Sequence, residues 1–160
     1  THESAIRIIS KEGELNNPAD RDHCLQYMTA IGLLKGDLVA EDYEDEVASD
    51  PRIDELRKKM LIEEDERYSA EYHEPDKRSI SNALQIIYKD GSSTDKIEVE
   101  YPIGHKLRRK EGIPILLEKF KRNLLTQFDE EKSNQIFELC QDKVKLLDTP
   151  VDEFMGMLAK

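Results

Sequence analysis

A chain of 160 residues is long enough for one domain with a real core, and 38% hydrophobic against 37% charged residues marks it as globular with a heavily charged surface. Acidic residues outnumber basic ones by 35 to 24, and the net charge of −11 repels phosphate backbones, so nucleic acid is not an expected partner. No apolar stretch approaches the length of a membrane span and the N-terminus lacks a basic-then-apolar signal, so no membrane partner is expected.

The chain starts at Thr1 rather than Met, which suggests a piece cut from a longer polypeptide. Ile6 and Ile8 alternate with Arg7 and Ser10 before Gly13, a period-two pattern that predicts a strand over residues 4–10. Asn17-Pro18 reads as a cap with proline at the first helical position, and Asp20 and Asp22 suit the positive end of the helix dipole. That helix should run to about Lys35 with a stripe of Cys24, Tyr27, Met28, Ile31 and Leu34, stopped by Gly36. Asp50-Pro51 repeats the device, and Ile53, Leu56 and Met60 predict a second helix sharing the core of the first. Leu61 and Ile62 suggest a further strand, and His73 to Ser79 reads as a polar loop that could hold binding residues. Leu84, Ile86 and Tyr88 alternate, Asp90-Gly91 supplies a turn, and Ile97, Val99 and Tyr101 alternate again, predicting a hairpin that buries one face.

After Pro102 the pattern is helical only. Ile113, Leu116, Leu117, Phe120 and Leu124 form a stripe behind Pro114. Asp129 caps a helix carrying Ile136, Phe137, Cys140, Val144 and Leu147, and Thr149-Pro150 starts a last one with Asp152 in the capping-box place. The expected fold is α+β: a small antiparallel sheet backed by helices over residues 1–104, then a helical segment over 105–160.

No glycine-rich phosphate loop, nucleophile elbow or His-Glu-x-x-His pair is present. His2, His23, His73 and His105 are scattered, and Cys24 and Cys140 each lie among apolar residues as reduced thiols would, so neither a metal nor a disulfide is expected. Two constellations remain. On the predicted first helix, His23 and Tyr27 fall one turn apart beside Asp22, where an imidazole and a phenol could face a ligand. The more ordinary alternative is that Tyr27 packs in the core with its hydroxyl on a backbone carbonyl while Asp22 and His23 decorate the helix start. The run from Gly104 and His105 through Lys106, Arg108, Arg109 and Lys110 is the one strongly basic segment, and could either receive carboxylates or balance nearby acids as a solvated stretch.

Several runs together resemble one family, MmgE/PrpD: Asn17-Pro-Ala-Asp-Arg-Asp-His-Cys-Leu-Gln-Tyr-Met28, Asp42-Tyr-Glu-Asp45 with Asp50-Pro-Arg-Ile-Asp54, Tyr72-His-Glu-Pro-Asp-Lys-Arg-Ser79, and Glu100-Tyr-Pro-Ile-Gly-His105 continuing through Glu111-Gly-Ile-Pro114. Order and spacing resemble the family's C-terminal part, and the final helices are less distinctive. The resemblance implies an α+β lid domain followed by helices belonging to a larger all-helical domain, whose N-terminal part would be a missing partner. It also implies a polycarboxylate substrate, the elimination of water from 2-methylcitrate to give 2-methyl-cis-aconitate in propionate breakdown, and no iron–sulfur or other cofactor. On that footing Tyr27 is the expected proton donor or substrate hydrogen-bonder. Asp22, His23, Gly104, His105, Lys106 and Arg108 are expected to orient it or bind carboxylates, and this part of the site is expected to be inactive alone. A homo-oligomer in the cytoplasm, or in the mitochondrial matrix of a eukaryote, completes the expectation. The competing readings are a decarboxylase or epimerase of the same family and a non-catalytic interaction domain.

Overall fold

The computed structural model describes residues 1–159, in two compact units, one from Thr1 to Tyr101 and one from Pro102 onward. The first element corrects an expectation: residues Glu3–Ile9 are a helix, α1, and not a strand. The His2 imidazole accepts from the Ala5 N–H at 3.2 Å and Arg7 pairs with Glu3 one turn back, so capping and a helical ion pair win over two alternating isoleucines. The helix buries Ser4 and Ala5 and leaves Ile8 56% exposed.

The expected helix from Asn17 to Lys35 is two helices, α2 (Pro18–Arg21) and α3 (Leu25–Lys35). Asn17 does cap the first, accepting from Asp20 N–H at 3.0 Å. The ladder stops because Cys24 takes an extended conformation, buried with its thiol turned to the Lys11 carbonyl and Gln26 Oε1. Packing of Cys24 outweighs helix continuation there. Gly36 ends α3 in the left-handed conformation, φ +77°, open to glycine without strain.

A short 3-10 turn, Ala40–Tyr43, and α4 (Asp45–Ala48) follow, then α5 (Pro51–Arg57), capped by Asp50 as expected. Helices α3 and α5 share one core of Cys24, Tyr27, Ala30, Ile31 and Ile53, with Leu56 and Met60 packed against its edge. Burying each of the two isoleucines contributes about 2 to 3 kcal/mol.

Leu61 is 90% exposed and forms no strand with Ile62, which corrects that expectation. Instead the acidic run leads into α6 (Glu66–His73), capped by Asp65 and packed against α1. The hairpin forms, with β1 (Asn82–Leu84) antiparallel to β2 (Ile97–Val99) in the register Asn82 to Val99 and Leu84 to Ile97. Gly91 turns its tip at φ +84°. Its predicted buried face is absent: Leu84, Tyr88, Ile97 and Val99 are all exposed, and the sheet has two strands because α1 is helical.

In the second unit the 3-10 turn Lys106–Arg108 leads into α7 (Arg109–Leu125). The helix starts earlier than expected, so Pro114 lies inside it. Asp129 caps α8 (Glu130–Gln141), accepting from Lys132 N–H at 2.9 Å. The stretch expected to continue to Leu147 breaks at Asp142, which ends α8 and caps α9 (Lys143–Asp148) by accepting from Val144 and Lys145 N–H. The last helix, α10 (Val151–Leu158), starts after Pro150 rather than at it, and the capping bond expected there is not made. Both cysteines are free thiols. Among the described residues no helix is long and apolar enough to cross a membrane.

Candidate functional site

The break before α3 separates residues that one continuous helix would have aligned. His23 lies in the turn, its side chain 60% exposed and its Nδ1 2.5 Å from Asp22 Oδ1, whereas Tyr27 is only 2% exposed. Asp22 and His23 therefore pair with each other and not on a shared face with Tyr27. The Tyr27 hydroxyl donates to the Asp42 backbone carbonyl at 2.6 Å, and its ring lies against Tyr43. Burial pushes the phenol up from its ordinary value, against a smaller pull from Arg21, so it is a neutral donor at pH 7.

Asp42 holds the turn over Tyr27. Its buried carboxylate accepts from Val39 N–H at 2.8 Å and pairs with the Lys35 ammonium. Burial alone would raise its pKa, but Lys35 and the Val39 N–H together hold the carboxyl below the usual range.

One edge of Tyr27 lines a cleft of about 370 Å³ with Arg21, Arg57, Asn16 and Ser49. The two arginines are cations the sequence did not single out, and both are unusually buried, with side chains 6% and 9% exposed. Arg21 donates to the Tyr43 carbonyl at 2.7 Å, and Arg57 to the Gly13 carbonyl at 2.8 Å. Asp45 and Asp54, also on the cleft, balance them at 2.7 and 2.5 Å. A neutral phenol, a hydroxyl and two anchored guanidiniums can hold carboxylates and donate a proton or hydrogen bond. Nothing in residue type or spacing distinguishes Arg21 and Arg57 from solvated arginines; only the packing of α2 and α5 does.

The basic loop lies in the second unit. His105 Nδ1 accepts from Leu107 N–H at 3.2 Å, fixing the ring as the cap of the 3-10 turn, and Arg108 pairs with Glu111 at 2.7 Å. Lys106 is exposed. Gly104 sits in the turn closed by His105 N–H to the Pro102 carbonyl, and a side chain there would meet nothing within 4 Å. The glycine this loop requires is Gly112, where an added Cβ would stand 2.3 Å from the Ile103 carbonyl oxygen. A glycine interrupting a helical stripe two residues before Pro114 was its only signal in the sequence. A second cleft, of about 450 Å³ between α8 and α10, is lined by Asp129, Glu131 and Glu153 against the one cation Lys132, a poor match to a carboxylate ligand.

The model of the MmgE/PrpD C-terminal domain matches residues 1–143. The chain is 52% identical over 157 residues to the 2-methylcitrate dehydratase of Salmonella typhimurium, covering 98% of this chain and 32% of that protein. It is 54% identical over 160 residues to the mitochondrial 2-methylcitrate dehydratase of Yarrowia lipolytica, covering all of this chain and 30% of that protein. A probable 2-methylcitrate dehydratase of Saccharomyces cerevisiae is 50% identical over 162 aligned residues, covering all of this chain and 31% of that protein. The chain thus spans about a third of the length of these relatives. On the match of the family's C-terminal domain to nearly the whole chain, this protein belongs to the MmgE/PrpD family.

Proposed function

We propose that this chain is the C-terminal third of a 2-methylcitrate dehydratase, a hydro-lyase, and contributes one wall of its active site. The observation that carries the reading is identity of half or more, along the whole chain, to relatives of that name from a bacterium and two yeasts. The cleft beside Tyr27 supports it chemically. Elimination of water transfers a proton from a carbon beside a carboxylate to a base, breaks the neighbouring carbon–oxygen bond, and protonates the departing hydroxyl. Arg21 and Arg57 suit the substrate carboxylates, and Tyr27, protonated at neutral pH, suits the departing hydroxyl once it exchanges the Asp42 carbonyl for it. The loop of Gly104, His105, Lys106 and Arg108 is a second carboxylate-binding element in this reading, with Asp22 and His23 as further substrate-binding groups. The base belongs to the remaining two thirds of the enzyme, which is this chain's partner, and the reaction runs without a cofactor.

The test is turnover of 2-methylcitrate by the complete polypeptide and by residues 1–160. The first is expected to dehydrate it and the second to be inert. In the complete enzyme Tyr27→Phe is expected to lower kcat on the order of ten- to a thousand-fold, the usual loss for one transition-state hydrogen bond. Unchanged kcat removes Tyr27 from the mechanism. Ile113, Leu116 and Leu125 are exposed on α7, and copies of the chain are expected to associate through such faces; sedimentation as a monomer at all concentrations contradicts this. The compartment in this reading is the cytoplasm, or the matrix in a eukaryote.

A further inference from the structure

The arginines of the Tyr27 cleft and the aspartates that neutralise them are bound to the protein on very different terms. Arg21 and Arg57 are nine-tenths buried and each is tied to a backbone carbonyl, so neither guanidinium can leave. Their partners sit at the surface: the Asp45 side chain is 84% exposed and that of Asp54 58%. Releasing an exposed carboxylate to water costs little, whereas a buried guanidinium left without a counter-ion costs much more. Each arginine also keeps a buried Nε with no hydrogen-bond partner among the described residues. In Arg21 the aspartate touches Nη2, the neighbour of that Nε on the side-on edge of the guanidinium. A carboxylate seated on this edge can take both N–H groups, which Asp45 does not do.

We propose that Asp45 and Asp54 are displaceable resident carboxylates, occupying Arg21 and Arg57 until a small di- or tricarboxylate enters the cleft and replaces them. The proposal rests on the polycarboxylate reading above and adds to it the residues that grip the ligand and the residues that compete with it. The cleft is neutral at rest, two guanidiniums against two carboxylates, so monoanions gain little by entering. A ligand with two carboxylates replaces both aspartates at once, and the second exchange follows at high effective concentration. Asp45 and Asp54 then act as a threshold that selects for more than one carboxylate.

Tricarballylate, which has three carboxylates and no hydroxyl to eliminate, tests this in the 160-residue chain by calorimetric titration, with acetate as the monoanion. Wild type is expected to bind tricarballylate and not acetate. Asp45→Asn and Asp54→Asn each remove the resident counter-ion of a buried guanidinium while keeping an amide oxygen that can accept from it, and each is expected to tighten binding by at least about threefold. Arg57→Gln is expected to abolish binding, and the two aspartate variants keep the test valid if that protein fails to fold. No binding by wild type, or binding that Asp45→Asn and Asp54→Asn leave unchanged or weaken, overturns the proposal. Because tricarballylate cannot be dehydrated, this outcome is separate from turnover by the complete enzyme, which judges the dehydratase reading.

Discussion

The α3 and α5 pair of the first unit and the helices of the second treat their apolar residues in opposite ways. In the first, α3 and α5 close over Tyr27, Ile31 and Ile53 until almost no surface remains. In the second, Leu124 and Ile136 are buried while Leu116, Val144, Leu147, Val151 and Met155 stay exposed on their helices. Apolar residues at helical spacing mark helices of both units in the sequence. A stripe shows which face a helix can bury, and only the placement of its neighbours decides whether the face is covered.

The sharpest way to break this contrast is to truncate matching side chains. Ile31→Ala or Ile53→Ala is expected to cost about 3 kcal/mol, a cavity in a closed core. Leu116→Ala in the same chain is expected to cost less than about 0.5 kcal/mol, as at a surface. Urea unfolding measures both, and equal costs would abolish the distinction.

Next in size is Asp42, which fastens the turn over Tyr27. Asp42→Ala is expected to cost about 2 kcal/mol through lost charge-assisted hydrogen bonds. Its folded pKa is depressed, so the unfolded chain binds the proton more readily. The contribution is complete above the ordinary carboxylate value of 3.8 and is lost as pH falls below it through the folded value. The wild-type midpoint is therefore expected to drop, as pH falls below the ordinary carboxylate value of 3.8, by more than that of Asp42→Ala. Parallel pH profiles for the two proteins would remove Asp42 from this role.

Two glycines of the second unit are expected to give smaller effects of opposite sign. In α7, Gly112→Ala forces the Ile103 carbonyl away and is expected to cost about 1 to 2 kcal/mol, the penalty of overpacking. In α10, Gly156→Ala meets nothing within 4 Å and is expected to gain about 0.5 to 1 kcal/mol from helix propensity alone. A Gly112→Ala protein that gains thermal stability, as Gly156→Ala is expected to, would show that the loop from Pro102 is not seated on α7.

Capping chemistry was the most legible part of the fold. Asn17, Asp50 and Asp129 each cap a helix as their side chains require, and Gly36 and Gly91 turn the chain where a positive φ is needed. Alternation served the hairpin but misled at Ile6 and Ile8, where two residues are too few to separate a period of two from a helical face. The acidic stretch before Asp65 concealed α6, whose apolar content is too small to make a stripe. At the site, the Tyr27 segment stood out through the family's motif, while Arg21 and Arg57 did not, because burial of a guanidinium depends on carbonyls distant in sequence. Tyr43 is 22 residues from Arg21, and Gly13 is 44 residues from Arg57.

That last span has a kinetic consequence. The Arg57 to Gly13 hydrogen bond closes a loop that local helix formation cannot bring together early, so its closure entropy is met only when α3 and α5 have already docked. Arg57→Gln is then expected to accelerate unfolding while leaving the refolding rate nearly unchanged, making this one guanidinium a determinant of how long the first unit stays folded.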